Sequence, residues 1–298
     1  MQYSNPQIPE GINTSKEHPL KEFFILSVGV IGAILVTLLL LIVTVDFFAD
    51  KIPFKWEKSI PVHKLIAGNS EPEIPQYLQD VSNRVIDAID LPEDMDIQVH
   101  YVNQDVVNAF ATLGGHIFLY RGLLEKLQSE DELAMVIAHE VAHIKHRHPI
   151  MGASHGLIVS LFISFLTGSS GDDFASLLVD TSGVVAVMHF SRDFEYESDE
   201  EAIAVLKSLY GHTQGAVQLF NIFKQQVGDY QSFEFLSTHP LTDKRIERVE
   251  SLSAGAMSRG SLTPLPAHFT SWLENQRKLP LEKAENHKGT SKNALFSR

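Results

Sequence analysis

Leu133-Ala134-Met135-Val136-Ile137-Ala138-His139-Glu140-Val141-Ala142-His143-Ile144 is the stretch that decides the fold. Its only polar side chains are His139, Glu140 and His143, so a helix here is apolar on all sides and belongs in a protein interior. Just upstream, Ser129 followed three residues later by Glu132 forms a capping box that starts this helix, and Pro149 is expected to end it. Four residues of helix turn about 400°, which leaves the two imidazoles about 40° apart on one face. Both can reach one zinc ion at about 2.0–2.1 Å. Glu140 lies about 100° round the helix from His139, close enough to hold a water without being a ligand, and is the candidate general base. Buried polar groups are costly unless partnered, and a metal with its water partners all three. His146 shares the face, but it lies about 10.5 Å from His139 along the axis, too far for one ion also held by His143. His146 and His148 are expected at the surface of the helix C-terminus, where positive charge is favourable.

Ahead of this helix, Ile74, Leu78, Val81, Val85 and Ile89 recur at helical intervals, so residues 73 to 90 read as an amphipathic helix. Ile97, Val99 and Tyr101 alternate with polar residues, and the segments Val107 to Thr112 and His116 to Tyr120 flank Leu113-Gly114-Gly115, a hairpin turn. The strand carrying Leu119 is either an exposed edge to which an extended substrate adds by backbone hydrogen bonds or a strand paired on both sides. Farther upstream, Phe23 to Val45 holds 23 residues without a charge, about the ~20 needed to cross a hydrocarbon core. The stretch is too long for a signal-peptide core and is read as a transmembrane helix, with residues 1–22 as a polar tail and 46–72 as a juxtamembrane linker. Phe47, Phe48, Phe54 and Trp56 read as an interfacial aromatic belt, although aromatics entering a folded domain would look the same. Lysines stand on both sides of the span, so charge counting does not orient it; the short preceding tail and Asp46 and Asp50 place the larger domain across the membrane from the tail, in a bacterial inner membrane with that domain facing the periplasm. Leu157 to Leu166 is apolar apart from serines but too short to span, so it is a packed helix or a membrane-dipping element. Helices follow from Arg192 to Tyr210 and near 214 to 227. Residues 254–298 turn polar, with several prolines, and receive no core role.

Composition removes several function classes. The chain carries 37 acidic against 24 basic residues, a net charge of −13, which argues against binding nucleic acid through its phosphates. It has no cysteine, so any metal ligand must be His, Asp or Glu.

A third ligand is expected to be a carboxylate, and Ser191-Arg192-Asp193-Phe194-Glu195-Tyr196-Glu197-Ser198-Asp199 is the best source. Winding this helix with Glu195 at the origin puts Ala202, Leu206 and Leu209 within about 40° of it, and Asp199 about 40° away on the same apolar stripe. Glu197, Glu200 and Glu201 fall on the opposite, water-facing side. Two carboxylates in an apolar stripe would cost several kcal/mol unless something cationic met them.

The H-E-x-x-H pentapeptide followed by Ser-Arg-x-x-Glu-Tyr-x-x-Asp resembles the membrane-associated zinc endopeptidases that include bacterial HtpX, the CAAX prenyl endopeptidases and the mitochondrial Oma-type proteases. Asn108-Ala109-Phe110-Ala111 with Gly114-Gly115-His116-Ile117, and Ser237-Thr238-His239-Pro240 with Arg245-Ile246, resemble two further segments of that family. The resemblance covers about residues 73 to 250. It implies that Glu195 is the third zinc ligand, that Asp199 accepts the free N–H of a ligand imidazole, and that His239 and Arg245 line the site. It also implies an α+β fold: a mainly helical, zincin-like metallopeptidase domain at 73–253 with a small β-hairpin or sheet, preceded by one transmembrane helix. The reading is of a zinc-dependent endopeptidase with one Zn2+ per chain and a polypeptide substrate, held to membrane lipid through residues 23–45. In it His139, His143 and Glu195 leave a fourth metal position open, and His239 or Arg245 stabilises the oxyanion. Two rivals remain. One is a membrane-anchored binding or chaperone-like protein with a structural metal site, which would have no use for Glu140; the other is a CAAX-type processing enzyme, a multi-span class that one clear span does not match.

Overall fold

The computed structural model describes residues 19–49, 51–59, 74–167, 191–226, 235–254 and 260–278. The chain divides into two units, Met1–Thr44 and Val45–Arg298. The first is dominated by helix α1 (Pro19–Ala49), in which Leu20–Val45 is long and apolar enough to cross a membrane and has none of its most apolar window buried.

The second unit is α+β and mainly helical, as expected. In order it contains α2 (Phe54–Lys58), α3 (Gln76–Asp87), β1 (Gln98–Val102), β2 (Ala109–Thr112), β3 (His116–Tyr120), α4 (Arg121–Leu124), α5 (Glu130–Lys145) and α6 (His148–Thr167). There follow α7 (Arg192–Tyr210), α8 (Gln214–Gln226), α9 (Phe235–Thr238), α10 (Asp243–Ala254) and α11 (Ala267–Lys278). The apolar sequence of α5 makes it the central element: residues 130 to 144 are buried throughout, with α7 packed along it most extensively and α3, α8 and the sheet against its other sides. Each fully buried Leu, Ile or Val there contributes roughly 1.5–3 kcal/mol. Ser129 caps the helix by accepting a hydrogen bond from the Glu132 N–H at 3.2 Å, while the Glu132 carboxylate accepts one from the Gln128 N–H at 2.6 Å. The helix stops before Pro149: Arg147 adopts a left-handed φ of 65°, and Pro149 stands as the second residue of the next helix, where its missing N–H has no partner to lose.

The sheet has the order β1-β3-β2, with β1 parallel and β2 antiparallel to β3. The strand carrying Leu119 is therefore paired on both sides, which removes it as an exposed edge; β2, against α5, is an edge instead. Between β2 and β3, Gly114 and Gly115 have φ of 81° and 86°. A Cβ on Gly115 would lie 2.0 Å from the Asp96 carbonyl oxygen, so only glycine fits that turn.

Two expectations drawn from composition are corrected. Phe54 is not part of a belt: it is buried in the core, with Phe47, Phe48 and Trp56 exposed. Its helix α2 is anchored by Glu57, which pairs with Arg147 at 2.7 Å and accepts a hydrogen bond from Gly114 N–H at 3.2 Å, so part of the 46–72 linker belongs to the folded unit. The stretch after Ser253 does have a core role. Phe269 and Leu273 of α11 are buried, Trp272 lies 4.7 Å from the Tyr101 ring, and Thr263 exchanges backbone and side-chain hydrogen bonds with Glu130 and Asp131. Its polar average hid one apolar stripe, Phe269, Trp272 and Leu273, at i, i+3 and i+4. The Leu157–Leu166 segment falls in α6, and its side chains other than Ile158 lie outside the described residues.

Candidate metal centre

His139 and His143 project from one face of α5, and their Nε2 atoms approach to 3.0 Å. Helix α7 crosses this face and brings Glu195, whose carboxylate oxygens lie 3.5 Å from His139 Nε2 and 3.5 Å from His143 Nε2. Its position follows from local signals: Ser191 caps the helix through the Phe194 N–H, and Gly211 ends it at φ 72°. The short α9 then delivers His239, with Nδ1 at 3.3 Å from His139 Nε2 and 3.0 Å from Glu195 Oε1.

These four residues, all buried, offer one donor atom each within 4.8 Å of one another. Zinc–nitrogen and zinc–oxygen bonds of about 2.0–2.1 Å in a tetrahedron place ligand atoms about 3.3 Å apart. The five separations above, 3.0 to 3.5 Å and measured to one or the other Glu195 oxygen, lie near that edge length. The donor set of three imidazoles and a carboxylate suits zinc. The charge balance fits as well. Burial opposes charge on His139, but hydrogen bonds to Asp199 and Glu195 push it up to about 10, so the carboxylates hold a cation here. Burial likewise opposes the charged forms of Glu195 and Asp199. Even so, His239 and Arg245 hold Glu195 well below its ordinary value, and Arg245 and His139 hold Asp199 below its own. His143, deeply buried beside His139, is driven far below the ordinary imidazole value and offers a neutral lone pair.

Glu140 is fully buried beside this group, with His239 Nε2 3.5 Å from Oε1. Neither of its oxygens accepts a hydrogen bond of good geometry, and burial pushes its carboxyl up. Such a group is poised to take a proton.

Asp199 Oδ1 stands 3.1 Å from His139 Nδ1, on the far side of the ring from Nε2. Arg245 grips the same carboxylate with Nε and Nη2, both at 2.8 Å, and donates to the Pro240 carbonyl at 3.1 Å while Nη1 pairs with Glu195. Its guanidinium is thus engaged with both acids and a backbone carbonyl, and it is buried. His239 lines the site, as a fourth donor beside the metal position. All seven residues singled out in the sequence meet in one cluster: His139, Glu140, His143, Glu195, Asp199, His239 and Arg245.

The sequence reading missed His148. Far from lying at the surface, it is completely buried, with Nδ1 2.9 Å from His143 Nδ1 and Nε2 3.2 Å from Glu197 Oε2, and it stacks on Phe194 at 4.0 Å. Burial holds its pKa down to about 3. No periodicity could have found it, because the left-handed turn at Arg147 breaks the helix phase. Glu197, placed on the water-facing side, is exposed as expected but also reaches this histidine. A cavity of about 540 Å3 opens beside the cluster, walled by Phe194 and Pro240, the chain neighbours of Glu195 and His239, and by Arg192, Thr242 and Gly152.

The model of peptidase family M48 matches residues 72–253. The mitochondrial metalloendopeptidase OMA1 of Schizosaccharomyces pombe is 30% identical over 175 residues, 58% of this chain and 51% of that protein. The beta-barrel assembly-enhancing protease of Yersinia pestis is 27% identical over 199 residues, 59% of this chain and 38% of that protein. For OMA1 of Arabidopsis thaliana the identity is 31% over 153 residues, 51% and 31% of the two chains. The chain therefore spans about half the length, or less, of these relatives.

Proposed function

The chain belongs to peptidase family M48, and from that membership and the geometry of the centre we propose that it is a membrane-anchored zinc endopeptidase acting on polypeptides. The observation that carries this reading is the set of buried donors on His139, His143, Glu195 and His239, all within 4.8 Å of one another, next to a buried Glu140 that accepts no hydrogen bond of good geometry. His139, His143 and Glu195 hold the metal. Zinc, when bound, supplies Lewis acidity that polarises a carbonyl and makes a water more acidic. Glu140 takes the proton of the attacking water and passes it to the departing amine. His239 offers a fourth donor atom beside these three, so the position expected for a water would be free only if His239 did not hold the metal. The His239 ring, with Nε2 3.5 Å from Glu140, is a candidate donor to an oxyanion. Arg245 and Asp199 keep His139 and Glu195 in place.

Glu140→Gln tests the assignment, because the amide is near-isosteric but cannot accept the proton. Casein cleavage by the purified variant should fall about 10²–10⁴-fold with zinc retained. Undiminished activity would remove Glu140 as base.

The apolar helix Leu20–Val45 is proposed to hold the enzyme in a lipid bilayer. Its similarity to a mitochondrial metalloendopeptidase and to a beta-barrel assembly-enhancing protease supports a role in membrane or envelope protein quality control. The proposed setting is a bacterial inner membrane with the domain on the periplasmic side, motivated by Asp46 and Asp50 just after the span. Protease added to spheroplasts should digest residues 73 to 250; digestion only after lysis would reverse the orientation. A binding protein with a structural metal site is disfavoured by Glu140, which such a site would leave buried for no purpose.

A further inference from the structure

We propose that His148 is a positioning residue of the metal centre: with Glu197 it fixes which nitrogen of His143 carries the proton, and so keeps the other free for the metal. This rests on the reading of His143 as a ligand. His143 turns Nε2 toward His139 and Glu195, which leaves its Nδ1 2.9 Å from His148 Nδ1. At that distance one proton lies between the two nitrogens. If Nε2 of His143 gives its lone pair to a metal, the neutral ring carries its proton on Nδ1 and donates, so Nδ1 of His148 must accept. The proton of neutral His148 then sits on Nε2, 3.2 Å from Glu197 Oε2. A carboxylate can only accept, so Glu197 selects this tautomer of His148, which in turn selects the metal-binding tautomer of His143.

The packing suits a fixed ring. His148 is fully buried and lies nearly parallel to Phe194, at 4.0 Å and 11°, which sets its plane. The two ligand imidazoles are thereby oriented differently. His139 meets Asp199 directly, whereas His143 reaches its carboxylate through an intervening imidazole, and that carboxylate is 58% exposed while Asp199 is buried. The pocket that holds His148 could not take a carboxylate in its place without adding a fourth acid to a centre that already buries Glu140, Glu195 and Asp199.

The test measures zinc affinity of the full chain in detergent by competition with a chelator, with secondary structure monitored alongside. His148→Phe keeps the ring and the stack on Phe194 but offers no acceptor, and should bind zinc about 10–100-fold more weakly. His148→Asn places a carbonyl oxygen near the position of Nδ1 and should recover most of that loss. Equal affinity of His148→Phe and the parent, or an equal loss in both variants, would mean that His148 only fills space and would overturn the proposal. Should His148→Phe fail to fold, Glu197→Leu decides, since its exposed side chain can be changed without disturbing the core. In the zinc-loaded protein the imidazole nitrogen resonances of His148 should then shift toward a mixture of tautomers, and an unchanged spectrum with unchanged zinc affinity would overturn the relay. If zinc does not bind the parent chain through His143 at all, His143→Ala will keep full affinity, and the failure lies with the ligand assignment instead of the relay.

Discussion

Helix α5 buries acids at both of its ends, and the two ends are treated differently. At its N-terminus Glu130 accepts hydrogen bonds from Tyr77 at 2.8 Å, Arg84 at 2.7 Å and Tyr210 at 3.1 Å, and its carboxylate is complete. Nine to ten residues on, His139 and Glu140 sit among acids and imidazoles whose donors converge on one point, with Glu140 left without a good hydrogen bond. A buried charge that the protein fully satisfies is architecture. One left incomplete amid converging metal-ligating donors, at a cost of about 1–3 kcal/mol for each unsatisfied group, marks where something else must bind or react.

The largest expected break in this contrast is Glu195→Gln. Removing the one acidic ligand should bring zinc content from one per chain toward none by elemental analysis, while the fold, which α5 and α7 hold by apolar packing, survives in circular dichroism. A variant that still holds one zinc would move the third ligand elsewhere.

Ending the chain after Ala254 attacks the opposite end. It removes the Thr263 partners of Glu130 and Asp131 and the buried Phe269 and Leu273, so the unfolding free energy should drop by about 3 kcal/mol or more. The folded fraction should still bind zinc, because no described residue beyond 254 reaches the metal cluster. Chemical denaturation with zinc titration reads both quantities, and an unchanged midpoint would return this stretch to the status of a dispensable tail.

Glu130→Gln should have the smallest effect, about 1.5–3 kcal/mol in stability from weakened charged hydrogen bonds, with cleavage by the folded protein unaltered. Its pH signature has a definite sign. Burial alone would raise the Glu130 carboxyl, but hydrogen bonds from Arg84 and Tyr77 outweigh burial and hold it below its ordinary 4.5. A depressed carboxylate contributes stability that is fully present above the unfolded value and is lost as pH falls through the folded one. Denaturant midpoints measured from pH 7 downward should therefore converge between parent and variant below about pH 4.5; a constant gap would exclude Glu130 as the source.

Much was legible in the chain itself. The zinc helix, its cap at Ser129, the hairpin around Gly114-Gly115 and the bounds Arg192–Tyr210 follow from period, capping and glycine chemistry, all of which are local. Glu195 and Asp199 stood out because two acids in an apolar stripe conflict with burial wherever the helix packs. The roles of Arg245 and His148, the docking of Phe54 and the core contribution of Phe269 and Leu273 depended instead on which distant surface each segment meets. Apart from the family resemblance, Arg245 reads as one more charge on a polar helix until α10 lays it across Asp199. His148 reads as a surface residue until the left-handed turn at Arg147 swings it inward onto Phe194. Local pattern determines what each segment can be, because helical phase and capping act within a few residues. Only tertiary structure decided which imidazole or guanidinium meets which carboxylate, because at the site those contacts join residues 44 to 99 positions apart, and their energies depend on desolvation that no single segment contains.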